Sequence, residues 1–307
     1  MNQEPVVYVN GEFLCRSEAK VSVYDQGLMF GDGVFEGIRV YGGRIFKCDE
    51  HIARLCDGAK YLAIEMPLTK PEIKDVMIET CRRNNAKDGY IRFVVTRGIG
   101  DLSLFPPDSP KPTVLCIVAK LSLYPREVYE KGMSIITSVQ RRNRASILDP
   151  QIKSLNYLNN ILAKIEALRA GVPEALMLTD SGIVAECSGD NIFIVKDGVV
   201  ATPPLHVGIL NGITRRSVIR LAREIGIGVE EREFTLFNVY AADECFLTGT
   251  GAEIVSVCSV DGRTIGDGVP GPASKKLKKA FHEYAKTQGT PIYEERAAAP
   301  SPEGARP

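Results

Sequence analysis

Tight turns recur along this chain, and they restrict its fold more than any other feature of the sequence. Residues 6–9 are apolar, turn at Asn10-Gly11 and are followed by Phe13, the pattern of a hairpin with a two-residue type I′ turn. Residues 37–41 and 44–46 flank Gly42-Gly43 in the same way. In the second half, Asp180-Ser181-Gly182, Lys196-Asp197-Gly198 and Asp261-Gly262 punctuate further strand-like runs. Runs at 90–97 and 113–120 are strand-like too, and 244–248 is a short apolar strand ending in Gly249-Thr250-Gly251. Helical periodicity fills the gaps, at 49–62, 70–84, after Ser154, from Asn211-Gly212 to 225, and at 272–286. Hairpins with helices inserted between groups predict a mixed α+β fold rather than a doubly wound parallel sheet. A length of 307 residues accommodates two domains of ordinary size. The expected division is 1–121, a linker at 122–131 containing Pro125, and a second domain at 132–290. A tail at 291–307, rich in Glu, Ala, Pro, Ser and Gly, is expected to be disordered.

Composition excludes several functions. Lysine plus arginine equal aspartate plus glutamate at 38 each, so no basic field points to nucleic acid. No stretch approaches the roughly 18 uninterrupted apolar residues of a membrane span, and the first residues lack a signal-peptide pattern. The eight cysteines are scattered without a C-x-x-C pair and the three histidines are dispersed. That reads as reduced thiols in a cytoplasmic protein, with no zinc spacing.

Ile152-Lys153-Ser154-Leu155-Asn156-Tyr157-Leu158-Asn159-Asn160 carries the first chemical signal. Apolar residues at 155, 158, 161, 162, 165 and 168 predict an amphipathic helix with one buried face, closed by Gly171. Lys153 would stand at its positive end, which disfavours the ammonium form and favours an amine nucleophile; an ordinary loop lysine is the other reading of this segment. Gly31-Asp32-Gly33-Val34-Phe35-Glu36-Gly37 resembles a nucleotide loop, but a strand follows it rather than a helix, which argues against a dinucleotide site. Asn211-Gly212-Ile213-Thr214-Arg215 opens a helix and offers free N–H groups to an anion, as does Gly249-Thr250-Gly251. Each is otherwise a plain tight turn. Arg54 is either a bidentate phosphate clamp or a surface ion-pair residue. Glu186, after Ile183-Val184-Ala185, is either an edge charge or a carboxylate buried for a purpose. One ligand would use all of these: a phosphorylated ring with a nitrogen and a carbonyl. That describes pyridoxal 5'-phosphate.

Four motifs carry a resemblance. Residues 152–159 (Ile-Lys-Ser-Leu-Asn-Tyr-Leu-Asn), 185–193 (Ala-Glu-Cys-Ser-Gly-Asp-Asn-Ile-Phe), 211–215 and 247–253 (Leu-Thr-Gly-Thr-Gly-Ala-Glu) resemble the class IV aminotransferases. The likeness is strongest to the branched-chain amino acid aminotransferases and runs from about Val6 to Ala285. It implies a two-domain fold with pyridoxal 5'-phosphate at the domain interface. Lys153 would be the Schiff-base lysine and general acid/base, Glu186 would pair with the ring nitrogen, and Tyr157 would bond the phenolic oxygen. Arg54, Gly212, Ile213, Thr214 and Thr250 would hold the phosphate, and Leu210 would pack on the ring. Phe30, Phe35, Tyr90, Arg92, Gly251 and Ala252 would shape the substrate site. The resemblance implies transfer of the amino group of leucine, isoleucine or valine to 2-oxoglutarate. It also implies a homodimer or higher homo-oligomer, in which the second subunit completes the pocket. D-amino-acid and (R)-amine aminotransferases and aminodeoxychorismate lyases resemble the same scaffold. The first usually lack the tyrosine found here at 157 and carry an Arg-x-His trap, absent from 99–104. The lyases lack the Asn-Tyr-Leu-Asn run. Phe30 stands where many branched-chain enzymes have tyrosine, and Gly251 where alanine is usual.

Overall fold

The computed structural model describes residues 4–107 and 110–293. Two sheets form its frame. The first has seven strands, all antiparallel, in the order Thr290–Pro291, Arg44–Ile45, Gly33–Tyr41, Gly89–Thr96, Val114–Ala119, Val6–Val9 and Glu12–Cys15. Helices Cys48–Tyr61 and Lys70–Arg83 bury Ile52, Leu55, Ile73 and Met77 against Ile38, Val40, Ile91 and Phe93 of this sheet. Thr69 and Glu72 cap the second helix reciprocally, with Pro71 in its first turn. At the Asn10-Gly11 turn both residues take positive φ, 47° and 103°, as the two-residue hairpin requires.

The second sheet runs Val229–Glu231, Val199–Thr202, Asn191–Lys196, Glu244–Gly249, Glu253–Val260, Met133–Arg141, Glu174–Leu178 and Val184–Cys187, with Arg263–Thr264 added beside Glu253–Val260. It mixes antiparallel hairpins with three parallel pairings. Its central strands are buried on both faces, so they read as continuous apolar runs. Helices Ile213–Glu224 and Pro272–Thr287 cover one face, packing Val218, Leu221, Leu277 and Phe281 on Phe193 and Phe246. Between the sheets, Glu253 accepts hydrogen bonds from Arg39 (3.2 Å) and Tyr41 (2.9 Å).

The expected linker 122–131 holds helix Arg126–Lys131, and Tyr124 is buried in the second core. Of the tail expected at 291–307, Pro291 pairs with Arg44 and Ile292 is fully buried, and residues 294–307 lie outside the described residues. One expectation is corrected. The helix after Lys153 spans Leu158–Arg169, and its apolar stripe is not its buried face. Leu158, Ile161, Leu162, Ile165 and Leu168 are 38–66% exposed. Asn160, Ala163 and Ala167 face inward, against Ala175 and Met177. Small side chains let the helix lie close on the sheet, and periodicity alone does not say which face does so. Lys153 precedes this helix by five residues, beyond the first turn where the dipole acts.

Candidate active site

Lys153 is fixed on the seam between the sheets. Its carbonyl accepts the N–H of Phe35 at 2.9 Å, and Leu155 N–H donates to Gly33 O at 2.9 Å. Ser154 bridges Val34, so the lysine segment continues the first sheet while the helix behind it packs on the second. Lys153 Nζ lies 2.7 Å from the Tyr157 hydroxyl and 4.5 Å from the centroid of the Phe35 ring. Tyr157 meets the lysine through a turn, closed by Tyr157 N–H to Leu155 O at 2.9 Å, and not through a shared helical face. Phe35 and Tyr157 stack edge to face at 5.0 Å. The Arg92 guanidinium stands 4.4 Å over Phe35 and donates to the Tyr90 hydroxyl at 3.4 Å.

Lys153 opens onto a cleft lined by Arg54, Tyr90, Glu186, Leu210, Gly212, Ile213, Thr214, Thr250 and Gly251, among others. At one end is Glu186, buried on strand Val184–Cys187, which resolves its two readings in favour of burial. One oxygen accepts Arg142 Nε at 2.8 Å. The other accepts Asn191 Nδ2 at 3.1 Å and Leu210 N–H at 2.9 Å. Asn191 spends its second amide hydrogen on Leu210 O at 2.9 Å, which ties the loop carrying Leu210 to the carboxylate. Its Oδ1 lies where a side chain on Gly212 would collide. Arg142, the ion-pair partner of Glu186, was not among the sequence-derived candidates. The only local signal is a cluster of arginines at 141, 142 and 144.

At the other end Gly212 caps helix Ile213–Glu224 with an extended backbone and no side-chain cap. The first-turn N–H groups beyond it are the positive end of the helix dipole. Thr214 lies in that first turn, and Thr250 lines the same cleft. Arg54 is no surface ion-pair residue. Nε and Nη2 donate to the two oxygens of the fully buried Glu36 at 2.6 and 2.9 Å, and Nη1 donates to Asn211 O at 2.9 Å. Burial would push the Glu36 carboxyl up, but Arg54 and His51 outweigh it and hold it well below the usual carboxylate range. Burial depresses His51 against the pull of Glu36, so its imidazole is neutral at physiological pH. Glu36 and His51 were also missed as functional candidates.

Two sequence-derived candidates stand apart. Phe30 ends the short helix Gln26–Phe30, partly exposed and off the cleft lining of its own chain. Ala252 is fully buried in the second core and is not on the cleft lining. At Gly251 an added Cβ would meet Leu123 and Leu121 at 3.5 and 3.6 Å, ordinary contact, so the glycine is not sterically required. Asp190 also lines the cleft. Burial and then the Glu174 carboxylate push it up to about 7.

This donor set matches a family. The family model "Amino-transferase class IV" matches residues 33–260. The chain belongs to the class IV aminotransferases. It is 53% identical over 289 residues to a putative branched-chain-amino-acid aminotransferase of Methanocaldococcus jannaschii, spanning 94% of this chain and 99% of the relative. It is also 38% identical to a D-alanine aminotransferase of Bacillus licheniformis, over 92% and 99% of the two. A branched-chain amino acid aminotransferase structure from Escherichia coli superposes with a TM-score of 0.90 at 34% identity, covering 94% of this chain and 96% of that one.

Class IV aminotransferases use pyridoxal 5'-phosphate. The cleft of this aminotransferase fits that group. It has an amine donor at Lys153, a carboxylate for a ring N–H, and a helix N-terminus with an arginine for an anion. The buried Thr248 hydroxyl, on the cleft lining, has no partner among the described residues and awaits one from a ligand. No helix of the described residues is long and apolar enough to cross a membrane.

Proposed function

We propose that this class IV aminotransferase moves the amino group of leucine, isoleucine or valine to 2-oxoglutarate, with Lys153 as the catalytic residue. The observation that carries the reading is the 2.7 Å contact between Lys153 Nζ and the Tyr157 hydroxyl, in a cleft that also presents Glu186 and the Gly212 helix end. When bound, pyridoxal 5'-phosphate supplies an aldehyde that condenses with amines and a ring that takes up electrons. Lys153 Nζ would hold that carbon, and the same amine would take the proton from the substrate Cα and return it. Tyr157 holds Nζ on the proton's path. Glu186, oriented by Arg142, Asn191 and Leu210 N–H, would keep the ring nitrogen protonated. Ile213, Thr214, Thr250 and Arg54 would anchor the phosphate, and Leu210 would pack on the ring. Phe35, Tyr90 and Gly251 form the apolar side of the substrate site, and Arg92 orients a substrate carboxylate.

We propose further that a second copy of this chain covers the exposed stripe of helix Leu158–Arg169 together with Leu28, Met29 and Phe30. Apolar patches of this kind mark interfaces. Phe30, off its own cleft, would then contribute to the partner's substrate site. The enzyme works as a cytoplasmic homodimer, with its cysteines as thiols.

Half-reactions test the function. Holoenzyme is mixed separately with L-leucine, L-isoleucine, L-valine, L-glutamate and D-alanine, and conversion to the pyridoxamine form is followed by absorbance. The four L-amino acids are expected to convert it and D-alanine is not. Conversion by D-alanine alone would establish the D-amino-acid reading instead. Pyruvate release from aminodeoxychorismate without an amino acceptor would establish the lyase reading.

A further inference from the structure

Behind the phosphate end of the cleft lie two buried groups that the reaction above does not use. Glu36 stands on strand Gly33–Tyr41, and His51 and Arg54 lie three residues apart on helix Cys48–Tyr61, one turn and one face. Arg54 lines the cleft, whereas Glu36 and His51 do not. A guanidinium has five N–H hydrogens. Glu36 and Asn211 O take three of them, which leaves two for a ligand. His51 Nδ1 lies 2.7 Å from Glu36 Oε2, the oxygen that also accepts from Arg54 Nη2. A carboxylate only accepts, so the hydrogen of the neutral imidazole is on Nδ1. Nε2 has no partner among the described residues. The one polar link of this ring therefore runs to Glu36.

A buried ion pair is a weak stabilising device, because well-packed apolar residues often replace it at no loss. What a forked pair provides is fixed geometry. We infer that Glu36 and His51 are positioning residues for the cofactor phosphate: His51 fixes the plane of the Glu36 carboxylate, and Glu36 fixes the Arg54 guanidinium with two donors free. This rests on the reading of Arg54 as a phosphate ligand.

The test is titration of the apoenzyme with pyridoxal 5'-phosphate and, separately, with pyridoxal, which lacks the phosphate. Four variants are compared with the unaltered chain. R54A removes the clamp. E36Q keeps size but turns an acceptor into a donor. H51L keeps bulk without a donor, and H51N keeps a donor at the Nδ1 position. R54A is expected to weaken pyridoxal 5'-phosphate most. H51L and E36Q are each expected to raise its Kd by about tenfold, the loss of one hydrogen bond to a charged group. H51N is expected to stay within about threefold of the unaltered chain, a residual well under one such bond. Pyridoxal affinity should be unchanged in all four.

A purely structural role predicts that pyridoxal and its phosphate weaken together, or that H51N is no better than H51L; either result overturns the inference. So does an unchanged Kd in E36Q, which applies even if H51L does not fold. An unchanged Kd in R54A overturns the phosphate reading itself, and is thereby distinguished from failure of the positioning inference.

Discussion

The two ends of the cleft are built from the same parts in opposite order. At the helix end the arginine, Arg54, faces the cleft and the carboxylate, Glu36, stands behind it. At the other end the carboxylate, Glu186, faces the cleft and the arginine, Arg142, stands behind it. Each buried charge has a partner of opposite sign, so neither end pays the full cost of an isolated charge. On the proposed reading, each would present to the cofactor the sign it needs, a cation for the phosphate and an anion for the ring N–H. The supports differ as well. Glu186 is held by an arginine, a side-chain amide and a backbone N–H. Arg54 is held by one carboxylate and one carbonyl, with His51 acting a step further back.

The largest effect should come from breaking one pair. Glu186→Gln strands Arg142, and Arg142→Leu strands Glu186. Each is expected to cost the apoprotein about 3–5 kcal/mol in denaturant unfolding. The double replacement leaves no stranded charge and should recover much of that. A double variant no more stable than either single one would break the comparison, because the two residues would then not be acting as a pair.

Tyr157→Phe comes next. It removes the hydroxyl that accepts from Lys153 Nζ, and kcat should fall about tenfold, the worth of one charge-assisted hydrogen bond. KM for the amino donor should change little, since the contact is to the lysine. A rise in KM at constant kcat would reassign Tyr157 to substrate binding.

Legibility in the sequence followed the range of the interaction. Lys153, Tyr157 and Gly212 each belong to a local pattern: a turn, a helix start, a short motif. The hairpins at Asn10-Gly11 and Gly42-Gly43 were legible for the same reason, because a turn type demands its residues. Arg142 was not, because its partner Glu186 lies 44 residues away and no periodicity links them. Glu36 was visible only as one residue of a glycine-rich run, and its meaning depends on helix residues 15 and 18 positions later. The helix Leu158–Arg169 shows a different limit. Its apolar periodicity was plain, but which face meets the sheet is set by the close approach of Ala163 and Ala167.

A further effect concerns a carboxyl with no arginine partner among the described residues. Asp190 lines the same cleft, its one side-chain hydrogen bond among the described residues is a long one from the Tyr124 hydroxyl, 3.4 Å, and its carboxyl is pushed up to about 7 by burial and by Glu174. A carboxyl raised above its unfolded value contributes stability that is full below the unfolded pKa and is lost as pH rises through the folded one. Between about pH 5 and 8 the unaltered apoprotein should therefore lose stability relative to Asp190→Asn. Parallel pH profiles for the two would show that Asp190 is compensated after all, and would narrow the contrast with Glu186.

The central claim is that Lys153 holds the cofactor in this cleft. Borohydride reduction of the holoenzyme, followed by peptide mass mapping, tests it directly. The account predicts the phosphopyridoxyl mass on the peptide containing Lys153, and none bound at that site in Lys153→Ala. Trapping on a different lysine, or no trapping in a holoenzyme that turns over, would contradict it.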